Sequence, residues 1–164
     1  MSVSQVRVRP RDEGDRAEVE RFLTERHSLR VARLGRLEHP LDHPSLVAER
    51  DGTLAGVLTF VLGEEDCEIL TLHATERFAG TGTALLEAVE TLAADAGCTR
   101  LWLITTNDNV DAVRFYQRRG FRLAALHRGA VDDSRAGLKP EIPPIGEHGI
   151  ELRDELELEK VPGA

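Results

Sequence analysis

The sequence predicts an α+β fold, in which a mixed sheet of about six or seven strands has helices on both faces. Segments that alternate polar and apolar residues, as strands do, occur on both sides of two amphipathic helical segments. Between those two helices, residues 101–105 are almost wholly apolar, which is typical of a strand in the centre of a sheet. The predicted order is β-α-(α)-β-β-β-α-β-α-β-β.

The first elements are predicted from alternation and capping signals. Residues 3–9 alternate and end at Pro10, which favours a strand. Residues 12–27 are expected to form a helix, with Asp15 as N-cap and Glu18 three residues later. Residues 28–44 have apolar residues at loose helical spacing and are interrupted by prolines. A second helix is predicted there, and the parentheses in the order above mark its weak signal.

The middle of the chain predicts a meander followed by helices and a central strand. Residues 46–50 and 54–62 are joined by Asp51 and Gly52, a pair that favours a hairpin turn, and residues 67–73 form the third strand. Residues 81–97 form the clearest amphipathic helix and end at Gly97. A second helix is expected over residues 109–119, before Gly120.

The last part predicts two more strands, residues 121–131 and 150–159. Residues 132–147 contain Pro140, Pro143 and Pro144, so a long irregular loop is expected there. We expect the whole chain, residues 1–164, to form a single domain.

Composition excludes several classes of protein. The 164 residues include 29 Asp or Glu and 21 Lys or Arg, a net charge of −8, which argues against a general nucleic-acid binder. The longest apolar stretch, residues 54–62, is about half the length that a bilayer crossing needs. No basic and apolar leader opens the sequence. We therefore expect a cytoplasmic protein without nucleic-acid or membrane partners, either a monomer or a homodimer.

The cysteines and histidines predict neither a disulfide framework nor a metal site. Cys67 and Cys98 are interpreted as buried, free thiols. His39 and His43 have the spacing of a helical ligand pair, but the neighbouring prolines disfavour a helix, and no CxxC or HExxH motif accompanies them.

Two glycines at the start of the predicted helix over residues 81–97 indicate a phosphate-binding turn. Gly80 and Gly82 allow backbone N–H groups to approach a ligand where the helix dipole is positive, and Arg77 adds a cation. A tight turn that only needs glycine remains an alternative. The P-loop and dinucleotide motifs are excluded, since Thr83 follows Gly82 and Leu85 replaces the third glycine. No Gly-x-Ser-x-Gly elbow of a serine hydrolase is present.

Two motifs resemble those of the GNAT N-acetyltransferases. Arg77-Phe78-Ala79-Gly80-Thr81-Gly82 is similar to the acetyl-CoA loop Q/R-x-x-G-x-G/A of that family. The family signature N-x-x-A-x-x-x-Y-x-x-x-G-F is matched by Asn109, Ala112, Tyr116, Gly120 and Phe121. The resemblance is specific over residues 67–121. It implies a GNAT-like fold, with acetyl-CoA as the acetyl donor, an amine as the acceptor and no metal.

The resemblance also implies roles for single residues. Thr71 and Leu72 would offer backbone groups to the pantetheine arm and the thioester carbonyl. The diphosphate would be held beside Arg77 by the backbone amides of Phe78, Ala79, Gly80, Thr81, Gly82 and Thr83. Asn109 would contact the cofactor, and Tyr116 would lie near its sulfur. Ala79 stands where many relatives carry Arg or Lys, so a charged contact is absent there.

Acetyl transfer to an amine needs a proton acceptor for the ammonium and a proton donor for the departing thiolate. Glu68, four residues before Leu72, is the first candidate for the acceptor, and a solvent-facing or Arg-paired glutamate is the alternative. His73 is a second candidate for the acceptor, and a chain of water molecules a third. Tyr116 is the candidate for the donor, with simple core packing as its alternative.

The acceptor amine stays open at this point. Glu64, Glu65, Asp66, Asp132 and Asp133 attract a cationic amine if they lie near the site, and otherwise form solvated surface. A peptide N-terminus, a lysine, a polyamine and an amine-bearing antibiotic all fit. Besides an N-acetyltransferase, a non-catalytic CoA-binding regulatory module and an unrelated phosphate-ligand or interaction domain are alternatives.

Overall fold

The computed structural model describes residues 5–75 and 80–164. The α-helices in these residues are α1 Arg16–Glu25, α2 Thr81–Asp95, α3 Val110–Gln117 and α4 Ala130–Gly137. The strands are β1 Val6–Pro10, β2 Val31–Arg33, β3 Arg36–Glu38, β4 Ser45–Arg50, β5 Thr53–Leu62, β6 Asp66–Ala74, β7 Arg100–Thr106, β8 Arg122–His127 and β9 Glu155–Lys160.

Seven of these strands form one mixed sheet in the order β1-β4-β5-β6-β7-β9-β8, while β2 and β3 form a separate hairpin. Within the seven-stranded sheet β6 and β7 are parallel, and the other neighbours are antiparallel. The predicted α+β class and the predicted number of strands are confirmed.

Helices pack on both faces of the sheet because alternate residues of each central strand point to opposite sides. Leu58 of β5 belongs to the larger core, which includes Leu85 and Val89 of α2 and Tyr116 of α3. The neighbouring Val57 belongs to the smaller core with Val19, Phe22 and Leu23 of α1. The sheet is therefore buried between α2 and α3 on one face and α1 on the other.

Several predicted turns and burial states are confirmed. Asp51 and Gly52 both have positive φ, as a two-residue hairpin turn of the primed type requires. Gly97 and Gly120 follow α2 and α3 with φ of 80° and 94°, in the region that favours glycine. Cys67 and Cys98 are free and buried. In the part of the chain that the structure describes, no helix has both the length and the apolar character to span a bilayer.

The sheet opens between β6 and β7. Their pairing begins at Asp66 opposite Arg100 and ends at Ile69 opposite Leu103. At the end of this pairing Leu70 is a bulge, because Phe60 of β5 pairs with Ile69 and the adjacent Thr59 pairs with Thr71. Beyond it, β6 continues along β5 while β7 continues along β9. The two central strands therefore separate at their carboxyl ends.

The second helix predicted within residues 28–44 is wrong, since β2 and β3 form a hairpin there. Leu34 and Gly35 turn the hairpin with positive φ of 50° and 73°. Two contacts with distant residues stabilise it: the N–H of Leu34 donates to the Glu155 carboxylate at 2.9 Å, and the Arg33 guanidinium pairs with Glu68. These tertiary contacts outweigh the loose helical spacing.

The irregular loop predicted over residues 132–147 is wrong in its first part, because α4 extends through Gly137. The helix begins after Gly129, which has φ of 75° and whose N–H donates to Asp154 Oδ1 at 2.8 Å. The rest is irregular and is held by Arg135, which donates to the carbonyls of Ile142, Pro143 and Leu152. Accordingly β8 ends at His127 and β9 begins at Glu155.

The cap predicted for the first helix is also wrong. Asp15 makes no side-chain cap hydrogen bond to α1. Its carboxylate instead accepts two hydrogen bonds from Arg9, of 2.6 and 2.8 Å. Asp12 caps a short 3-10 turn over Glu13–Asp15 that precedes α1, with Asp15 as the other half of the capping box.

Candidate active site

A cavity of about 520 Å³ lies where β6 and β7 separate. Four of the predicted site residues line it: Thr71 and Leu72 from β6, Asn109 before α3, and Tyr116 within α3. The loop after α1, β2, the end of β7 and the segment from α4 to β9 complete the wall. Residues far apart in sequence thus meet at one opening in the sheet.

Tyr116 is held in the wall of this cavity by aromatic packing. Its ring meets Phe115 and Phe121 edge-on, with centroids 5.1 and 5.2 Å apart, and the residue is 7% exposed. Burial raises the pKa of the phenol, so the hydroxyl stays protonated at neutral pH. That hydroxyl forms no hydrogen bond with any other described residue. Tyr116 is therefore both a core ring and a proton-bearing group at the cavity.

Asn109 positions Tyr116 by starting the helix that carries it. Its Oδ1 accepts a hydrogen bond of 3.2 Å from the N–H of Ala112, the usual arrangement of an N-cap. Asn109 also lines the cavity. The side-chain oxygen is thus occupied, and the amide NH₂ is the group that remains for a ligand.

Thr71 has a buried hydroxyl for which no partner is described. The residue is 5% exposed, and its Oγ1 makes no hydrogen bond with the described residues. A buried polar group without a partner costs free energy, so a ligand that completes the bond is favoured. Thr71 lines the cavity, and the expected contact of its backbone with the cofactor stays a prediction.

The start of α2 has the features of an anion site. Gly80 is its N-cap with φ of 82° and makes no side-chain cap, and the first N–H groups of a helix have no acceptor within it. Thr81 is buried, and Gly82 lies against Phe115, where an added Cβ would be 3.4 Å from the ring. Arg77, Phe78 and Ala79 lie outside the described residues.

Arg119 brings a cation to the start of α2 that the sequence motifs do not indicate. Its guanidinium donates two hydrogen bonds to Thr83 Oγ1, of 3.1 and 2.7 Å, and stacks on Phe115 at 3.7 Å from the ring centroid. Ala79 offers no charge, and a second described contact brings Arg50 to the same helix start, since its guanidinium donates to Thr81 Oγ1 at 3.4 Å. The only feature of the sequence that could have indicated Arg119 is its position just before Gly120 of the second motif.

Glu68 does not line the cavity. It is 4% exposed, and both of its oxygens accept hydrogen bonds from Arg33, one of them 2.8 Å long. Burial raises the pKa of Glu68, and the guanidinium opposes that rise. The structure thus shows the arginine-paired alternative for Glu68, and its role as proton acceptor stays a prediction.

Two other titratable groups do line the cavity. His73 Nε2 lies 2.8 Å from Ser28 Oγ, and burial lowers the pKa of the imidazole to about 4. Glu155 is 1% exposed, accepts a hydrogen bond from the N–H of Leu34, and has its pKa raised by burial. Glu155 was missed in the sequence because it belongs to a strand of alternating glutamates that looks like a solvated edge.

The buried His73 predicts a loss of stability in acid. The unfolded chain protonates this histidine near pH 6.5, whereas the folded chain does so only near pH 4. The stability that neutral His73 contributes is therefore complete above pH 6.5 and is lost as the pH falls toward 4, by about 3 kcal/mol in total. Urea unfolding between pH 7.5 and 4 measures this slope.

His73→Gln should reduce that slope, while His39→Gln, which changes an exposed histidine, should leave it unchanged. An equal slope in the parent and in His73→Gln would show that other groups cause the acid dependence.

The loop acids named above do not line the cavity. Glu64, Glu65, Asp132 and Asp133 are exposed, and Asp66 accepts a hydrogen bond from Trp102 Nε1. They form solvated surface. A different group, Asp111, Glu147 and His148, brings three ligand-type atoms within 4.8 Å of one another on the surface, where such clusters are common without a metal.

Comparison with known proteins agrees with this geometry. The family model described as the acetyltransferase (GNAT) family matches residues 6–121. The protein YdhI of Bacillus subtilis strain 168 is 48% identical over 110 residues, which are 67% of this chain and 68% of YdhI.

Solved structures show the same fold. An IAA acetyltransferase from Bacillus cereus ATCC 14579 superposes with a TM-score of 0.72 at 20% identity, over 96% of this chain and 99% of that one. A GNAT family acetyltransferase from Elizabethkingia anophelis, solved with acetyl-CoA bound, gives a TM-score of 0.68 at 19% identity, over 95% and 97% of the two chains. The chain therefore belongs to the GNAT acetyltransferase family.

Proposed function

We propose that the chain is an N-acetyltransferase that transfers the acetyl group of acetyl-CoA to a primary amine by direct attack in a ternary complex. The observation that carries this proposal is the position of Tyr116, a residue with a protonated hydroxyl, in the wall of the cavity opened by the separation of β6 and β7. Membership of the GNAT family and the acetyl-CoA found in one structural neighbour support it.

The residues that fit acetyl-CoA lie along the opening in the sheet. The first N–H groups of α2, which have no acceptor within the helix, suit its diphosphate, and Arg119 adds positive charge beside them. Arg77, Phe78 and Ala79 complete this loop in the sequence. Thr71, Leu72 and Asn109 line the cavity along the expected path of the pantetheine arm. When bound, acetyl-CoA supplies an activated acetyl group.

Tyr116 is proposed to donate a hydrogen bond to the departing sulfur. Since burial keeps its hydroxyl protonated, the donor is available across the neutral pH range. Negative charge develops on the sulfur as the thioester bond breaks, so this contact strengthens in the transition state.

The amine must lose a proton before or during attack, since a free alkyl ammonium has a pKa near ~10.4. Among the described groups in the cavity wall, Glu155 fits the role of proton acceptor best. Burial raises the pKa of this carboxyl toward neutral pH, whereas the pKa of His73 is lowered to about 4. Glu68 is the alternative, and protonation of its carboxylate would weaken its ion pair with Arg33.

Binding of acetyl-CoA is expected to stabilise the fold. A ligand at 100 times its Kd adds about 2.7 kcal/mol. For a chain of this size the melting temperature should rise by roughly 5–10 °C. Thermal unfolding with and without millimolar acetyl-CoA measures this shift, and adenosine at the same concentration, which lacks the diphosphate, is the control. An unchanged melting curve would contradict both the enzyme and the CoA-binding module.

Turnover separates those two alternatives. Release of free thiol from acetyl-CoA is measured over a panel of primary amines, with mass spectrometry of the acetylated product. Acetylation of at least one amine above the uncatalysed rate is expected. A thermal shift without any acetylation across the panel would leave only a non-catalytic CoA-binding module.

A further inference from the structure

The wall of the cavity is richer in cations than the chain as a whole. Its charged residues other than histidine are Arg26, Arg30, Arg33, Lys139, Asp108 and Glu155. Basic residues thus outnumber acidic ones in the wall, although the chain has 29 acidic residues against 21 basic ones. Three of these four cations are ion-paired with carboxylates outside the wall, Arg26 with Glu25, Arg30 with Glu141 and Arg33 with Glu68, so the fourth, Lys139, is the one to consider as a binding group.

Both acidic residues in the wall already have hydrogen-bond partners. Asp108 accepts hydrogen bonds from the hydroxyl of Thr106 and from the N–H of Glu147. Glu155 accepts one from the N–H of Leu34. These bonds hold the irregular segment and the β2–β3 hairpin in place. Neither residue is arranged as a dedicated anchor for a second positive charge on an acceptor.

Lys139, in contrast, is a cation without a carboxylate partner among the described residues. Its Nζ donates to the carbonyls of Arg30 at 2.8 Å and His27 at 3.3 Å, both in the loop after α1. An ammonium has three hydrogens, so a third donor remains. The neighbouring Glu141 is paired with Arg30. The ammonium is thus fixed at the cavity by two backbone contacts, with its charge not neutralised by an ion pair.

Two buried hydroxyls lie in the same wall without a partner. Ser134 of α4 is 2% exposed, and Thr71 of β6 is 5% exposed. Neither Ser134 Oγ nor Thr71 Oγ1 forms a hydrogen bond within residues 5–75 and 80–164. Hydroxyls donate readily to carboxylate or phosphate oxygens, and such bonds are stronger than those to neutral acceptors. Because Thr71 lies on the expected path of the cofactor, Ser134 is the unpaired donor that an acceptor group beside Lys139 would satisfy.

We propose that the acceptor amine carries a carboxylate or another small anionic group, and that Lys139 binds this group with help from the Ser134 hydroxyl. The proposal rests on the proposed N-acetyltransferase function and names its substrate class. A cavity of about 520 Å³ has the size of a small-molecule site, and it also has to admit the thioester end of the donor. The acceptor class is therefore a small amino acid or a similar amine.

Matched acceptors test the substrate class. Amino acids are compared with their amides, for example leucine with leucinamide, and phosphoethanolamine is compared with ethanolamine. We expect kcat/KM to be at least tenfold higher for the anionic member of the preferred pair. The amide has the less basic amine, so ionisation alone would favour it, and a preference for the acid reports recognition of the anion. Whether the enzyme prefers the amino acid or phosphoethanolamine shows whether the site binds a carboxylate or a phosphate.

Variants of Lys139 test the site. Lys139→Met should raise KM for the anionic acceptor about tenfold or more, with unchanged KM for acetyl-CoA and unchanged kcat/KM for the neutral acceptor. Lys139→Arg should restore most of the loss, and its melting temperature shows whether the packing beside α1 survives. Arg122→Met, which removes an exposed cation on β8, is the matched control and should leave all constants unchanged.

Three results would overturn the proposal. The first is that the amide and ethanolamine are acetylated as well as or better than their anionic partners. The second is that Lys139→Met changes the KM for acetyl-CoA instead, and the third is that Lys139→Met leaves the KM for the anionic acceptors unchanged. Calorimetric titration with each amino acid and its amide gives a readout without turnover. If no amine is acetylated, the proposed function fails, and this titration still decides whether the cavity binds the anion.

Discussion

Tyr116→Phe is expected to lower kcat for acetyl transfer by about 100-fold, within the range typical of a lost proton donor. The change removes only the hydroxyl of a residue that lines the cavity, and this hydroxyl forms no hydrogen bond with other described residues. The ring contacts with Phe115 and Phe121 are retained. Because the proposed contact with the sulfur strengthens in the transition state, KM for acetyl-CoA should change little. Steady-state kinetics of thiol release measure both constants.

Stability separates this role from core packing. The melting temperature of Tyr116→Phe should stay within about 2 °C of the parent, because no described hydrogen bond is lost. Phe121→Leu is the matched control: it removes one of the two edge contacts of the Tyr116 ring but keeps the hydroxyl. It should lower the melting temperature more than it lowers kcat. A Tyr116→Phe variant as fast as the parent would remove Tyr116 from the mechanism.

Arg33→Met should lower the free energy of unfolding by about 3–5 kcal/mol, as expected when one partner of a buried ion pair is removed. Glu68, which is 4% exposed, then loses the guanidinium that holds both its oxygens. Its pKa, which burial raises already, rises further. A carboxyl whose folded pKa exceeds its unfolded value loses stability as the pH rises, so the loss should be larger at pH 8 than at pH 5.

Urea unfolding of Arg33→Met at both pH values checks this prediction. The double variant Arg33→Met with Glu68→Leu is the control, since it removes the charge that the single change leaves unpaired, and it should recover most of the loss. A single variant as stable as the parent at both pH values would show that the pair is not needed for the fold.

Glu68→Gln decides whether this residue is the proton acceptor. If it is, the variant loses the acidic limb of the pH–rate profile while its melting temperature stays near that of the parent. We expect the opposite, a lower melting temperature with the limb retained, because Glu68 does not line the cavity. Glu155→Gln is the companion variant, and in this variant the acidic limb of the pH–rate profile should flatten.

The elements that the sequence predicts well are those with a strong local signal. The helix over residues 81–97 has a regular apolar face and a terminal glycine, and α2 and Gly97 confirm it. The Asp51-Gly52 pair specifies its hairpin in the same way. The alternation of strand residues also indicates which side chains are buried, as Val57 and Leu58 show. For these elements the information lies within a few neighbouring residues.

The elements that the sequence mispredicts depend on distant contacts. The β2–β3 hairpin is stabilised by Glu155 and Glu68, which lie far along the chain from Leu34 and Arg33. The α4 segment contains a helix whose start is bound by Asp154. Neither contact leaves a periodic pattern in its own segment, so local reading favoured a helix in one place and a loop in the other.

The site divides in the same way. The family resemblance implies that Thr71, Leu72, Asn109 and Tyr116 lie along the cofactor, and the structure brings these four to one cavity. Lys139, Ser134 and Glu155 also line it, although none belongs to a motif.

The sequence by itself determined the class of fold, because glycines and apolar periodicity act over short distances, and its two motifs indicated the family by resemblance. Only the tertiary structure decided that Arg33 neutralises Glu68, that Arg119 brings a cation to α2, and that Lys139 lies at the cavity without an ion-pair partner among the described residues. The physical reason is that charge pairing and burial depend on which segments pack together, and no single segment contains that information.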